Sequence, residues 1–182
     1  MRNYFFLFVS IATLLMMIVM QKTGASLKTN TTPHGILDLE FANNTDKATA
    51  VINAWGKTDG SDIIQAAKLN TELDFIFLLC YSVFLHHGCK SVSRLYKGVM
   101  SSAGLLIANG AITAGVFDIM ENIGMLLTLH GYINSIVTML TFSFSIVKWI
   151  LALCALIYFS VGCILYLFGK IKKQRESIEP LK

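Results

Sequence analysis

Four ionisable side chains stand inside long apolar stretches of this 182-residue chain: Asp74, Asp118, Glu121 and Lys148, with Glu72 nearer a boundary. An ionised group in hydrocarbon is costly, tends to face a bundle interior, and marks a functional site by default. Carboxylates gathered around an ammonium could bind a polar ligand, relay a proton, or act as general acid and base. Asn122 adds an amide directly after Glu121. One cation cannot neutralise three carboxylates. The excess negative charge needs a proton or a polar, solvated cavity. The bland alternative is that the cluster only fixes helix register. Three acids and one base exceed what register requires.

Helical spacing gathers these groups. Gly104, Ala108, Ala111, Gly115, Asp118, Asn122 and Met125 follow alternating steps of four and three, so they share one face, which Glu121 flanks. Leu105, Ile112, Val116, Ile123 and Leu127 occupy the opposite side. Small residues let helices approach closely, and large apolar ones suit lipid. Thr141, Ser145, Lys148, Ala152, Ala155, Phe159, Gly162 and Tyr166 form a matching face further on. Asp74, Leu78, Tyr81 and Leu85 form a third. Asp118 and Lys148 each lie roughly 6 Å to the same side of their stretches' centres, at about 1.5 Å per residue. The expectation is one cluster of Asp74, Asp118, Glu121, Asn122 and Lys148 in the outer half of a bilayer, with a Lys148 ion pair at its heart.

The positioning elements are four apolar stretches, at 4–20, 73–85, 99–129 and 136–168. A bilayer core about 30 Å thick needs about 20 mostly apolar residues per helix. The second stretch reaches that length only with its polar flanks. The chain is 54% hydrophobic and 14% charged, against about 25% charged in soluble domains. The fold class expected is all-α, a transmembrane four-helix bundle with a short helical extracytoplasmic cap. Residues 1–22 form the first transmembrane helix or a signal peptide, 23–68 an extracytoplasmic loop with short amphipathic helices, and 69–182 three further transmembrane helices with a basic cytoplasmic loop and tail. The first apolar run is longer than the roughly 7–15 residues of a signal-peptide core, which favours a retained helix.

Charge sets the orientation. Lys90, Arg94 and Lys97 separate the second and third stretches, and Lys170, Lys172, Lys173 and Arg175 follow the fourth. No Lys or Arg lies between the third and fourth. Cytoplasmic segments accumulate Lys and Arg, so both termini are expected in the cytoplasm. The net charge of +4 is explained by that rule, and no nucleic-acid partner is implied. Membrane lipid is the partner expected.

The exported segment carries weaker signals. GILDLEFA at 35–42 alternates apolar and acidic residues, as a short extended piece or an amphipathic segment on the membrane would. Thr45 reads as a helix N-cap. Ala48, Val51, Ile52 and Trp55 follow at helical spacing, and Trp55 suits the headgroup level. Ser61 reads as the N-cap of the next helix, with Asp62 in its first turn. Pro180 argues against a long terminal helix. Cys80, Cys89, Cys154 and Cys163 have no CxxC spacing and read as reduced, apolar groups. Adjacent His86 and His87 point about 100° apart on a helix and chelate poorly. No metal or cofactor is implied.

GILDLEFA, Trp55, LDFIFLLCYS at 73–82 and FDIMEN at 117–122 resemble a group of small bacterial four-span integral membrane proteins of unassigned function. The resemblance implies a bacterial inner membrane and singles out Asp74, Asp118, Glu121 and Asn122, without an activity. A looser likeness, architectural only, is to emopamil-binding-type proteins, which carry acidic residues inside four-helix bundles and include sterol isomerases. The leading expectation is a protein that binds a lipid-like or small polar ligand at the intramembrane acids. The alternatives are an intramembrane lipid-modifying enzyme with isomerase-like acid–base chemistry, a proton-coupled transporter, or a subunit of a larger membrane complex. Four spans are few for a monomeric transporter, so that option would need a homo-oligomer.

Overall fold

The computed structural model describes residues 2–56 and 63–178. Ser61, Asp62 and Pro180 lie outside the described residues. The elements are α1 (Arg2–Thr23), a 3-10 turn (Ala25–Leu27), α2 (Ile36–Glu40), α3 (Thr45–Gly56), α4 (Ile63–Ser93), α5 (Val99–Leu129) and α6 (Ser135–Ile178). The described residues contain no strand. The long helices α1, α4, α5 and α6 are each long and apolar enough to cross a membrane, as a multi-pass protein requires.

α4, α5 and α6 pack on one another, and α1 lies along α4. α1 makes no comparable seam with α5 or α6. The small-residue face of α5 drives the packing. Gly104, Ala108, Ala111 and Gly115 are all buried, while Leu105, Ile112, Val116, Ile123 and Leu127 are exposed. At Gly124 an added Cβ would overlap the Thr141 hydroxyl of α6, so only glycine lets the two helices come this close. α6 buries Thr141, Ser145, Lys148, Ala155 and Gly162. The expected face ends there: Tyr166 is 46% exposed. Past Cys163 α6 outruns its neighbours, and residues 164–171 are exposed throughout. The helix also continues through Gly169 to Ile178, contrary to the early end expected. One interior glycine costs only about 1 kcal/mol, and good helix formers such as Lys170 and Gln174 surround it.

The short elements pack at the end of the bundle where α1 finishes and α4 begins. Leu27, Leu39, Ala48, Val51 and Trp55 form one apolar cluster with Ile63 and Ala67 of α4 and Met125 and Leu129 of α5. Three local expectations change here. GILDLEFA is not extended: it turns at Gly35 (φ 67°) into the short helix α2, which buries Leu39 and Glu40. Asn44, not Thr45, caps α3, because its Oδ1 accepts the Lys47 N–H at 2.9 Å. Trp55 is 1% exposed, not a headgroup anchor. Its Nε1 donates to the Leu27 carbonyl at 3.0 Å and to Thr32 Oγ1 at 3.1 Å. With the indole N–H satisfied, burying the ring is favourable. Asn70 of α4 ties down α1, its Nδ2 donating to the Met20 carbonyl at 3.1 Å and Thr23 Oγ1 at 2.7 Å.

Candidate functional site

Lys148 projects from α6 into the space between α4 and α5 and is 6% exposed. Its ammonium donates to Asp118 Oδ1 at 2.8 Å and to Glu121 Oε1 at 2.9 Å. Glu121 Oε2 is also 2.9 Å away. Asp118 and Glu121 are three residues apart on α5, so both reach the same cation. Tyr81 of α4 completes Asp118, donating its hydroxyl to Oδ2 at 2.7 Å. One turn beyond Asp118, Asn122 donates through Nδ2 to Asp74 Oδ2 at 2.8 Å. The five residues expected to cluster thus meet in one place, with Asp74 joined through Asn122 rather than through Lys148. Glu72 is exposed and takes no part.

A fourth carboxyl comes from outside the long helices. Glu40, the last residue of α2, lies 3.5 Å from the Lys148 ammonium. Trp149 Nε1 donates to Glu40 Oε2 at 3.2 Å, and Ser145 Oγ lies 3.5 Å from it. Read as a strand, 35–42 puts Asp38 and Glu40 on one polar face. Wound as a helix, two residues are about 200° apart. Asp38 then turns outward to His34, whose Nδ1 is 3.1 Å away, and Glu40 turns into the bundle. The available signal was an acid between Leu39 and Phe41, in a piece whose spacing left the strand and amphipathic readings both open. Tyr81 was placed on the face of Asp74 but not recognised as a partner of Asp118.

Removing one member of such a group is expensive. A buried charge stripped of its partner costs about 3–5 kcal/mol. Four carboxyls share a single ammonium, so the excess charge has to be met by protons held among them or by a further positive group. Among the described residues no three His, Cys, Asp or Glu side chains are placed to hold a metal ion.

The cluster opens on a cavity of about 430 Å³. Glu40, Asp74, Asp118 and Lys148 line one end of it, with Tyr81 and Trp149 beside them. Met17 and Met20 of α1, Phe77 and Phe84 of α4, and Leu153 and Leu156 of α6 form apolar walls. The cavity occupies the gap that α1 leaves by packing on α4 and not on α6. From Asp74 to Leu85 it follows α4 for about 16 Å, at about 1.5 Å per residue. That is close to half of a bilayer core about 30 Å thick.

No known family matches this chain, and no curated protein or solved structure matches it either. The groove has a charged head end and an apolar trough. Polar groups fix orientation in such pockets, and apolar walls supply most of the buried area. Its donors are few, and each already serves an acceptor within the protein.

Proposed function

We propose that this protein sits in a bacterial plasma membrane with both termini in the cytoplasm and binds an amphiphile from the outer leaflet. The polar head lies against Asp74, Asp118 and Glu40, and one hydrocarbon chain lies in the trough between α1 and α6. The observation that carries the reading is the groove itself: one leaflet deep, charged at one end and apolar along the rest. Below Tyr81 its lining is Phe84, Leu85, Ala152, Leu153 and Leu156. That apolar half suits a held chain better than a passing ion or proton. All the residues involved come from one chain, so binding needs no second copy.

Native mass spectrometry of the protein released from mild detergent tests the reading. The wild type is expected to retain one lipid-like mass. Ala152→Phe, which fills the trough without touching the charged end, is expected to lose it while keeping its thermal stability. No retained mass on the wild type, or equal retention by the variant, would refute the proposal.

A further inference from the structure

We infer that the groove selects an amphiphile whose head is a protonated amine and discriminates against anionic heads. The inference rests on the amphiphile reading above and adds the chemical class of the head. It follows from which hydrogen-bonding atoms at the head end remain unused.

The donors lining the cavity are spent. Lys148 directs its ammonium at Asp118, Glu121 and Glu40. The Tyr81 hydroxyl serves Asp118. Trp149 Nε1 serves Glu40. Thr13, on the α1 wall, donates to the Val9 carbonyl of its own helix at 2.9 Å. A fully ionised phosphate, sulfate or carboxylate head has only acceptors to offer and finds the Lys148, Tyr81, Trp149 and Thr13 donors of the lining already engaged.

The acceptors are in surplus. Asp74 uses Oδ2 for Asn122, and Oδ1 accepts nothing among the described residues. Glu40 uses Oε2 for Lys148, Trp149 and Ser145, and Oε1 accepts nothing among them. Both residues line the cavity. One further buried acceptor, Asn122 Oδ1, lacks a hydrogen-bond partner behind the cavity wall, whereas Glu121 Oε2 faces the Lys148 ammonium at 2.9 Å. Asn122 is fully buried, and its amide is fixed this way round because only Nδ2 can donate to Asp74. An ammonium has three donors and one positive charge. It answers both deficits, of hydrogen and of charge. Trp149 adds an aromatic wall beside the head, with its ring centroid 5.8 Å from the Lys148 ammonium, a place where a second cation would also be favoured.

The test uses full-length protein in phosphatidylcholine nanodiscs and the fluorescence of Trp149. Three probes share one dibrominated octadecyl chain and differ only in the head: amine, alcohol or phosphate. Bromine in the trough quenches Trp149, and Trp55, buried among the short helices, gives a constant background. The Ala152→Phe variant reports quenching from bulk lipid. The amine is expected to reach half-quenching at a mole fraction at least about tenfold below the phosphate, the scale of one charge-assisted hydrogen bond. Asp74→Asn keeps the bond from Asn122 but removes the charge. It should bring the amine level with the alcohol and leave the alcohol unchanged. Glu40→Gln, at the other unused oxygen, is the second variant if Asp74→Asn does not fold. A phosphate probe that matches or beats the amine overturns the head assignment and leaves the groove intact. An amine preference that survives both variants overturns it too. If no probe exceeds the filled-groove background, the amphiphile reading itself fails, and this inference with it.

Discussion

Replacing Lys148 by Met isolates the central charge of the bundle. Methionine has similar length and no charge, so packing is nearly kept while three carboxyls lose their cation. Asp118 at 2.8 Å and Glu121 at 2.9 Å lose direct hydrogen bonds, and Glu40 at 3.5 Å loses a longer contact. At 6% exposure Lys148 is hardly screened by water. Breaking a buried ion pair from one side costs about 3–5 kcal/mol, because the partner charge stays buried and unmatched. Total stabilities of folded domains are only about 5–15 kcal/mol, so the loss is a large fraction. Removing the two directly bonded carboxylates along with the cation is different. Replacing a buried ion pair by matched uncharged residues is often neutral or stabilising by about 1–4 kcal/mol. Glu40 keeps its contacts with Trp149 and Ser145. Adding Asp118→Asn and Glu121→Gln to Lys148→Met should therefore restore much of the lost stability. The assay is reversible unfolding in mixed micelles titrated with a denaturing detergent, comparing midpoints of the wild type, the single variant and the triple variant. A single variant within about 1 kcal/mol of wild type would refute the reasoning, since one exposed ion pair contributes no more than that. So would a triple variant no more stable than the single one.

Two further outcomes can be measured independently. Gly124→Ala places a methyl against the Thr141 hydroxyl. It should cost about 1–3 kcal/mol through overpacking, and adding Thr141→Ala should recover most of it in the same unfolding assay. With the four native cysteines replaced, a cysteine at His34 should react with a membrane-impermeant maleimide in intact cells. One at Lys170 should react only after permeabilisation, and the reverse pattern would invert the proposed orientation.

The sequence was most readable where one helix has two chemically opposite sides. α5 alternates small and polar residues with large apolar ones at fixed spacing, and the periodicity alone separated its buried from its exposed face. Lys148 and its two α5 partners were legible for the same reason, since depth along a helix is counted at a constant rise. Glu40 was not. In a piece as short as α2, a period of two and a period near four fit the same apolar residues, and the difference decides which acid turns inward. Trp55 misled because an indole suits both a headgroup layer and a packed interior. Its choice depends on acceptors at Leu27 and Thr32, far back in the chain. The trough was also invisible. Spacing says which side of a helix is buried, but not which neighbour buries it, and the gap exists because α1 chose α4 alone.

That choice has a consequence for what the trough can accept. Three of the long helices are locked together by glycine contacts and a shared charge network, whereas the remaining wall leans on a single companion and is pinned at one end by Asn70. Rolling of that helix on the α4 surface, where Phe5 and Phe6 rest on His87 and Phe84, would widen or narrow the slot without disturbing the locked trio. For the amphiphile proposed above, recognition would then be strict at the pinned, carboxyl-bearing mouth and forgiving towards the bulk, branching or unsaturation of the tail below.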